Sequence, residues 1–231
     1  MDQRARGRTR TVLRVIAVPR LHVVTDDLVL GRTDFLPVAR ALLEAGGDAL
    51  ALHVRGPRTD GRTIYELVHE LVTREQSGGH VFVNDRVDVA LTAGAAGIHL
   101  GQRSLSVAGT RALVGSTACV GISVHDAREV RAASQDGADY AFVGTLHATP
   151  SHEGHGGRGP ELLTEVAELA NGLLLLGIGG VTPERVPPVL RAGGHGVAVI
   201  RGVWGASDPV RAVGEYLSVL EGRPSSTGDS N

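Results

Sequence analysis

The sequence predicts an α/β fold in a single domain, a closed (β/α)8 or TIM barrel, and three observations lead to this prediction. Short apolar segments alternate eight times with segments of helical periodicity, and such alternation gives parallel strands joined by right-handed crossovers. The length of 231 residues is close to the roughly 250 residues typical of one barrel. The 32 glycines suit many short loops. A doubly wound open sheet is the rival fold, but it would not need eight evenly spaced units.

The predicted strands are short and apolar, as expected for strands that are buried on both faces. The seventh shows this best, because four leucines from Leu173 onward precede Gly177 and Ile178. In chain order the strands cover 21–25, 49–55, 81–83, 97–100, 119–122, 140–143, 173–178 and the run from Gly194 that ends in Arg201 and Gly202.

The predicted helices show apolar residues at helical spacing or clear end signals. Ile64, Val68 and Leu71 recur on one face of the second helix, as an amphipathic helix requires. Asp126 is a good N-cap for the fifth, and Pro183 suits the first turn of the seventh. In chain order the helices cover 33–45, 60–76, 87–91, 107–113, 126–135, 160–169, 183–192 and 208–220.

Polar residues or glycines follow almost every predicted strand. In a parallel barrel the carboxyl ends of the strands meet at one rim, and active sites lie there. We therefore expect the active-site rim to contain Thr25, Arg55, Asn84, Asp85, Gln102, Ser123, His125, Thr145, Gly179, Gly180 and Arg201.

The glycines after the seventh strand predict an anion site. Gly179 and Gly180 have no side chain, so a ligand can approach the backbone N–H groups. Arg201 and Gly202 end the neighbouring strand, and an Arg offers a bidentate fork to phosphate. Because the last two loops of such barrels form phosphate sites, we expect a phosphate here. Two tight turns between buried strands are the alternative.

Composition excludes several classes of function. A net charge of −2 gives no attraction to nucleic acid or to an anionic membrane, and no apolar run approaches the ~20 residues of a membrane span. All 23 basic residues are Arg, which excludes a Schiff-base lysine. The single Cys119 cannot form an internal disulfide and fits a cytoplasmic location.

The barrel domain is predicted to cover residues 20–222. Residues 1–19 form an Arg-rich arm and lead-in without the apolar core of a secretory signal. Residues 223–231 form a polar tail. Both ends are predicted to be disordered.

Three segments together resemble one family. They read VNDRVDVALTAGAAGIHLGQRSL from Val83, GISVHDAREVRAASQDGADYAFVG from Gly121, and LLGIGGVTPERV followed by GVAVIRGV. They are similar to the thiamine phosphate synthase and TenI superfamily, and the first is far more specific than a pair of glycines. The resemblance spans His22 to Leu220. It implies a (β/α)8 barrel that binds phosphorylated precursors of thiamine.

The resemblance implies one of two activities. The synthase joins a pyrimidine diphosphate to a thiazole phosphate and releases pyrophosphate with the help of Mg²⁺. The TenI type shifts a proton on a thiazole carboxylate phosphate without a metal. After the second strand the synthase pattern QLREK is replaced by HVRGP, so His53 and Arg55 match the TenI pattern HIRE. Pro57 replaces the synthase lysine, and the neighbouring Arg58 is its candidate substitute.

The metal-binding pattern of the synthase is half present. Asn84 and Asp85 match its NDR motif, in which the Asp helps to hold Mg²⁺. The second carboxylate of the family falls at Ser104, which carries no charge. One carboxylate together with diphosphate oxygens can still hold Mg²⁺, with lower affinity.

The stretch after the sixth strand also departs from the synthase. Thr149 matches its PTPTK motif, but His152 replaces the lysine. The proton-transfer His of the TenI type falls at Thr145, and His147 points to the same side of an extended segment. Histidine suits this role because it titrates near neutral pH. We expect residues 147–155, rich in glycine and histidine, to form a mobile lid.

These matches favour a TenI-type thiazole tautomerase over a thiamine phosphate synthase, and a non-catalytic thiazole-phosphate-binding or regulatory protein is a further alternative. No cofactor is expected for the tautomerase, whereas the synthase would hold Mg²⁺ at Asp85. The expected partner is a phosphorylated thiazole, joined by a pyrimidine diphosphate for the synthase, and a homo-oligomer is left open. The predicted catalytic residues are His147, His53 and Thr145, and the predicted substrate-binding residues are Arg55, Asn84, Ser123, Thr149, Gly179, Gly180, Arg201 and Gly202.

Overall fold

Eight parallel strands close into a barrel in the computed structural model, which describes residues 17–74, 79–148 and 157–223. The strands pair in chain order, and the last pairs with the first. The closed barrel is therefore confirmed, and the open sheet is excluded. The strands are β1 (Leu21–Val24), β2 (Leu50–Val54), β3 (His80–Asn84), β4 (Gly97–Leu100), β5 (Cys119–Val124), β6 (Tyr140–Val143), β7 (Leu174–Ile178) and β8 (Gly196–Val199).

Helices connect successive strands and cover the outside of the barrel. Their apolar faces are buried at the predicted positions, since Ile64, Val68 and Leu71 are at most 4% exposed. None of the described helices is long and apolar enough to span a bilayer. The helices are α1 (Asp27–Leu30), α2 (Phe35–Gly46), α3 (Gly61–Arg74), α4 (Val87–Ala93), α5 (Val107–Val114), α6 (Ala127–Gln135), α7 (Glu161–Ala167), α8 (Val186–Arg191), α9 (Arg201–Trp204) and α10 (Pro209–Leu220), with 3-10 turns at Gly47–Ala49 and Pro183–Arg185.

Two short helices differ from the sequence prediction, and both lie at the carboxyl rim. The helix α1 follows β1 because Asp26 accepts the N–H of Val29 at 2.9 Å and caps it. Arg201 does not end the eighth strand but begins α9, in which the N–H of Trp204 bonds the carbonyl of Ile200 at 3.0 Å. The predicted arm as far as residue 16 and the tail from residue 224 lie outside the described residues.

The interior of the barrel is partly polar. Side chains alternate along each strand, so every second residue points inward. On β1, β2 and β4 an inward position holds a histidine, and the rings of Phe82, Tyr140 and Phe142 fill the space between them. The fully or nearly fully buried polar residues are His22, Thr25, His53, Asn84, His99 and Thr110.

Candidate active site

A cavity of about 480 Å³ opens at the carboxyl rim between the ends of β5 and β8. Phe142, Ile178 and Ala198 give it an apolar floor. Its other side is formed by the loops after β7 and β8, so a ligand there would meet both an apolar surface and backbone. The lining residues are Ser123, His125, Phe142, Gly144, Thr145, Ala148, Ile178, Gly179, Gly180, Val181, Thr182, Arg185, Ala198, Val199, Ile200, Arg201 and Gly202.

The loop after β7 lies against the cavity through glycine backbone. Gly179 and Gly180 have φ angles of 102° and 59°, which side-chain-bearing residues rarely adopt. A Cβ on Gly179 would lie 2.5 Å from Cγ2 of Thr145. The N–H of His147 bonds the carbonyl of Gly179 at 3.1 Å and ties the loop after β6 to this one. The anion site predicted from the two glycines therefore has the tight backbone that it requires.

Two guanidinium groups border the same cavity. Nη1 of Arg185 donates to the carbonyl of Gly180 at 2.6 Å, and Arg201 is the first residue of α9. Both residues line the cavity, where their charge attracts an anion. We call Gly179, Gly180, Arg185, Arg201 and Gly202 the glycine cup.

The last helix, α10, stabilises the glycine cup through Tyr216. The hydroxyl of Tyr216, on α10, donates to the carbonyl of Val181 at 2.8 Å. A Cβ on Gly202 would collide with the same hydroxyl. Tyr216 thus fixes the loops after β7 and β8 relative to each other, and Gly202 is required for this close approach.

A second cluster lies at the rim after β3 and β4. Asp85 has a φ of 63°, which Asp tolerates better than most residues, and its carboxylate turns toward the loop after β4. Oδ1 accepts the N–H of Gly101 at 2.9 Å and the hydroxyl of Ser104. The residue predicted to hold Mg²⁺ and the residue at the second carboxylate position are therefore in direct contact. We call Asp85, Gly101 and Ser104 the Asp85 cluster.

The Asp85 cluster fits a magnesium ion only together with a phosphorylated ligand. Mg²⁺ takes oxygen ligands and commonly uses one or two carboxylates plus substrate phosphates. Here Asp85 offers one carboxylate, while the Ser104 hydroxyl donates to it. Within the described ranges no group of three His, Cys, Asp or Glu side chains could hold a metal alone. The donor set thus agrees with a Mg²⁺ ion that takes one ligand from Asp85 and other oxygen ligands from a diphosphate.

The two arginines after β2 have different surroundings. The backbone N–H and carbonyl of Arg55 both bond the hydroxyl of Thr25, at 2.8 and 2.9 Å, which fixes the end of β2. Burial lowers the pKa of His99, and the charges of His53 and Arg55 lower this pKa further. Arg58, the candidate substitute for the lysine, pairs instead with Asp27 at 3.3 Å, and its side chain is 81% exposed.

His53 lies below the rim and does not face the cavity. Position 53 points inward from the middle of β2, one layer beneath Arg55, and the residue is fully buried. Its Nε2 lies 2.8 Å from Nδ1 of His22, and its Nδ1 lies 2.9 Å from Oδ1 of Asn84. Burial lowers the pKa of His53 to about 4. The predicted catalytic role would require contact between His53 and the substrate. In this position His53 can influence a bound substrate only through its contact with Asn84.

Thr145 lines the cavity, but His147 does not. The strand β6 ends at Val143, before the segment in which the prediction places His147 on the same side as Thr145. Burial, followed by the charge of Arg185, lowers the pKa of His147. Thr149, His152 and most of the predicted lid 147–155 lie outside the described residues.

Sequence analysis missed residues that the fold brings to the site or beneath it. Arg185 precedes α8 and was not singled out, because it lies five positions after Gly180 in the sequence. His22 and His99 were not considered, although each stands at an alternate position of a strand. Nε2 of His99 lies 2.9 Å from the hydroxyl of Ser123, which lines the cavity. Ser123, Thr145 and the glycine cup are thus brought together, and Arg55, Asn84 and Asp85 lie at the other part of the rim.

The fold is a (β/α)8 barrel whose cavity lies beside the loops after the last two strands, the place where barrels of this kind commonly bind phosphate. The family model described as thiamine monophosphate synthase matches residues 21–203, and the chain belongs to this family. The family suspected from sequence motifs is therefore confirmed.

Individual relatives agree with this assignment. A thiamine-phosphate synthase of Roseiflexus castenholzii is 37% identical over 88% of this chain and 89% of that protein. A thiamine biosynthesis bifunctional protein ThiM/ThiE of Symbiobacterium thermophilum is 47% identical over 61% of this chain, which corresponds to 29% of that longer protein. The solved thiamine phosphate pyrophosphorylase of Pyrococcus furiosus is 29% identical, covers 88% of this chain and 96% of its own, and has a TM-score of 0.73.

These relatives place the chain among enzymes of thiamine biosynthesis but do not support the preference for the tautomerase. The relatives similar over nearly their whole length carry the synthase name. The preference for the tautomerase rested on the synthase lysines that Pro57 and His152 replace and on the uncharged Ser104, all of which lie within short motifs. Short motifs of this kind count less than similarity along the barrel, and His53 lies away from the cavity.

Proposed function

We propose that the chain is a thiamine phosphate synthase, which joins hydroxymethylpyrimidine diphosphate to thiazole phosphate and releases pyrophosphate. The observation that carries this proposal is the presence of two separate anion-binding regions at one rim, the glycine cup and the region of Arg55 and Asp85. A synthase must hold two phosphorylated substrates at once, whereas a tautomerase needs a single phosphate site. Relatives that bear the synthase name support the same choice.

The thiazole phosphate is assigned to the glycine cup. Its phosphate would accept hydrogen bonds from the backbone at Gly179 and Gly180 and from the guanidinium groups of Arg185 and Arg201. A flat ring attached to this phosphate would rest on the apolar floor around Phe142 and Ile178, as ligands in such cavities commonly do.

The diphosphate is assigned to the rim between β2 and β4. Arg55 would bind it as a bidentate fork, and Asp85 would hold the Mg²⁺ that accompanies it. When bound, Mg²⁺ neutralises negative charge on a leaving pyrophosphate. Arg55 adds fixed positive charge at the same place, which stabilises charge that develops in the transition state.

A direct assay tests the proposal. The purified protein is incubated with hydroxymethylpyrimidine diphosphate, thiazole phosphate and Mg²⁺, and thiamine phosphate and pyrophosphate are measured. Equal amounts of both products are expected. A proton shift on thiazole carboxylate phosphate without synthase activity would instead support the tautomerase hypothesis. Binding of thiazole phosphate with neither reaction would indicate a non-catalytic binding protein. A cytoplasmic location is part of the proposal and agrees with the lone, buried Cys119.

A further inference from the structure

A chain of hydrogen bonds runs through the barrel interior to the rim. It starts at the carbonyl of Pro19, which lies 3.0 Å from Nε2 of His22. Nδ1 of His22 lies 2.8 Å from Nε2 of His53, and Nδ1 of His53 lies 2.9 Å from Oδ1 of Asn84. Both histidines are fully buried, and Asn84 is 8% exposed. The chain therefore connects a fixed carbonyl at one end with an amide at the rim, next to Asp85.

Counting protons along this chain shows that the pair of histidines carries a charge in this arrangement. The carbonyl of Pro19 can only accept, so Nε2 of His22 carries a proton. Oδ1 of Asn84 can only accept, so Nδ1 of His53 carries one as well. The contact between the two rings needs a third proton, whichever nitrogen holds it. Two neutral imidazole rings together carry two N–H protons, so an arrangement that needs three belongs to a pair with one positive charge.

With two protons the same chain requires the opposite amide orientation. His22 still donates from Nε2 to Pro19, so its Nδ1 accepts and His53 must donate from its own Nε2. Nδ1 of His53 then has a lone pair and needs a donor. The Asn84 amide satisfies it by turning its NH2 group inward, because the two ends of an amide occupy equivalent positions. Its oxygen then faces the rim.

We infer that His22 and His53 are positioning residues that decide which end of the Asn84 amide faces the diphosphate. The neutral pair presents the amide oxygen, and the pair with one added proton presents the NH2 group. This inference rests on the proposed function for the identity of the ligand. Because diphosphate oxygens accept hydrogen bonds and carry negative charge, diphosphate favours the protonated pair and takes up a proton from solvent when it binds.

The groups around the pair favour its neutral form when no anion is bound. The His99 ring on β4 lies 5.7 Å from His53, and the Tyr140 ring on β6 lies 4.9 Å from His22. Burial lowers the pKa of His22, and the charges of His53, His99 and His195 lower it further. Arg55 adds positive charge near His99. A buried cation would therefore need an anion close by.

The proton positions can be read directly from nitrogen NMR of protein labelled in histidine. In the free protein at about pH 7.5 we expect His22 and His53 each to carry a single proton, on Nε2, since both have a pKa below the ordinary histidine value. The variant Asn84→Asp offers only acceptors, so it should add a third proton to the pair at the same pH. A proton on Nδ1 of His53 in the free wild type, or no change in Asn84→Asp, would overturn the inference.

Calorimetry with inorganic pyrophosphate tests the coupling to the ligand. Titrations in buffers of different ionisation enthalpy at about pH 6.5, near the ordinary histidine pKa, measure the protons exchanged on binding. Because pyrophosphate itself titrates in this pH range, the quantity compared is the difference between proteins, and the wild type should take up nearly one proton per site more than the His22→Phe variant. The variant His22→Phe lets His53 keep its proton on Nδ1 without a charge, so binding should persist and this additional uptake should disappear. The control His69→Gln changes an exposed histidine on α3 and should leave the uptake unchanged.

The outcomes for the inference and for the proposed function are separable. Pyrophosphate binding with the same proton exchange in the wild type and in His22→Phe would overturn the inference, whatever the enzymatic activity. If pyrophosphate does not bind, the diphosphate assignment fails, and the histidine spectra of the wild type and of Asn84→Asp still decide the inference. Those spectra also decide it if His22→Phe does not fold.

Discussion

The two regions of the rim that we propose to bind anions are built in different ways. The glycine cup uses backbone with positive φ, and its shape is set by close approach to Thr145 and Tyr216. The region of the Asp85 cluster uses side chains, and each of these is held by another side chain or by a neighbouring loop. The cup is therefore formed before its ligand arrives. Under our proposals the Asp85 region reaches its binding form only with a bound Mg²⁺ ion and an added proton on the histidine pair.

The largest effect is expected from Asp85→Asn, which removes the carboxylate that would hold Mg²⁺. The kcat/KM for thiamine phosphate formation should fall by on the order of 10²–10³. The matched control is Asp88→Asn, because Asp88 lies three residues away and pairs with Arg86 at 2.6 Å on the surface. Equal losses of kcat/KM in the two variants would show that the Asp85 carboxylate is not a specific ligand.

The variant Gly179→Ala tests whether the glycine cup depends on backbone geometry. The KM for thiazole phosphate should rise by about 10²-fold, since a Cβ there displaces the loop and misplaces the substrate. Gly172→Ala is the control, because its φ is 90° but a Cβ meets nothing within 4 Å. Both variants should lose about 1–2 kcal/mol of unfolding free energy through the positive φ, and Gly179→Ala should lose more because its Cβ also lies 2.5 Å from Thr145. A similar KM for thiazole phosphate in both variants would show that the glycine cup does not bind this substrate.

The interior beneath the Asp85 region should make stability depend on pH. The pKa of His53 is about 4 in the fold, against 6.5 ordinarily, so the unfolded chain binds the proton more readily. The free energy of unfolding is therefore highest above pH 6.5, falls as pH is lowered, and loses about 2 kcal/mol from this group by pH 5. Urea unfolding measured at pH 5 and above pH 6.5 checks this decrease. In His53→Gln the decrease should be smaller, and an equal decrease would assign it to other groups.

The smallest expected effect comes from Ser104→Asp, which places a second carboxylate against Asp85. The Mg²⁺ affinity in the presence of pyrophosphate should rise by about tenfold, as a second hard ligand adds to the first. Without Mg²⁺ the two negative charges should repel and lower the melting temperature. The matched change Ser106→Asp, at the N-cap of α5, should leave the Mg²⁺ affinity unchanged. An unchanged affinity in Ser104→Asp would place the ion elsewhere.

The sequence predicted those features that local pattern determines. Strands β4 and β6 match their predicted bounds, and the glycines of the cup were found because glycine pairs after a buried strand have few other uses. The start of α9 at Arg201 was missed, since an apolar run that ends in Arg-Gly does not show where the strand stops. A four-residue helix supplies little periodicity to find.

Contacts between distant segments could not be predicted in the same way. Arg58 was a candidate for the missing lysine, but Asp27 lies close enough to hold it only once β1 and β2 are paired. The contact of His53 with His22 follows from the register of the same two strands. Such contacts depend on which residues face one another across the barrel, and a pattern along one strand does not contain that information.

Tyr216 makes the glycine cup depend on the order in which the polypeptide is synthesised. The loops that it joins emerge from the ribosome before α10, which carries the tyrosine. A nascent chain that lacks α10 also lacks the hydrogen bond from Tyr216 to Val181. We therefore expect the proposed phosphate site to reach its final shape only after α10 has been added, and a prematurely terminated product should bind thiazole phosphate weakly.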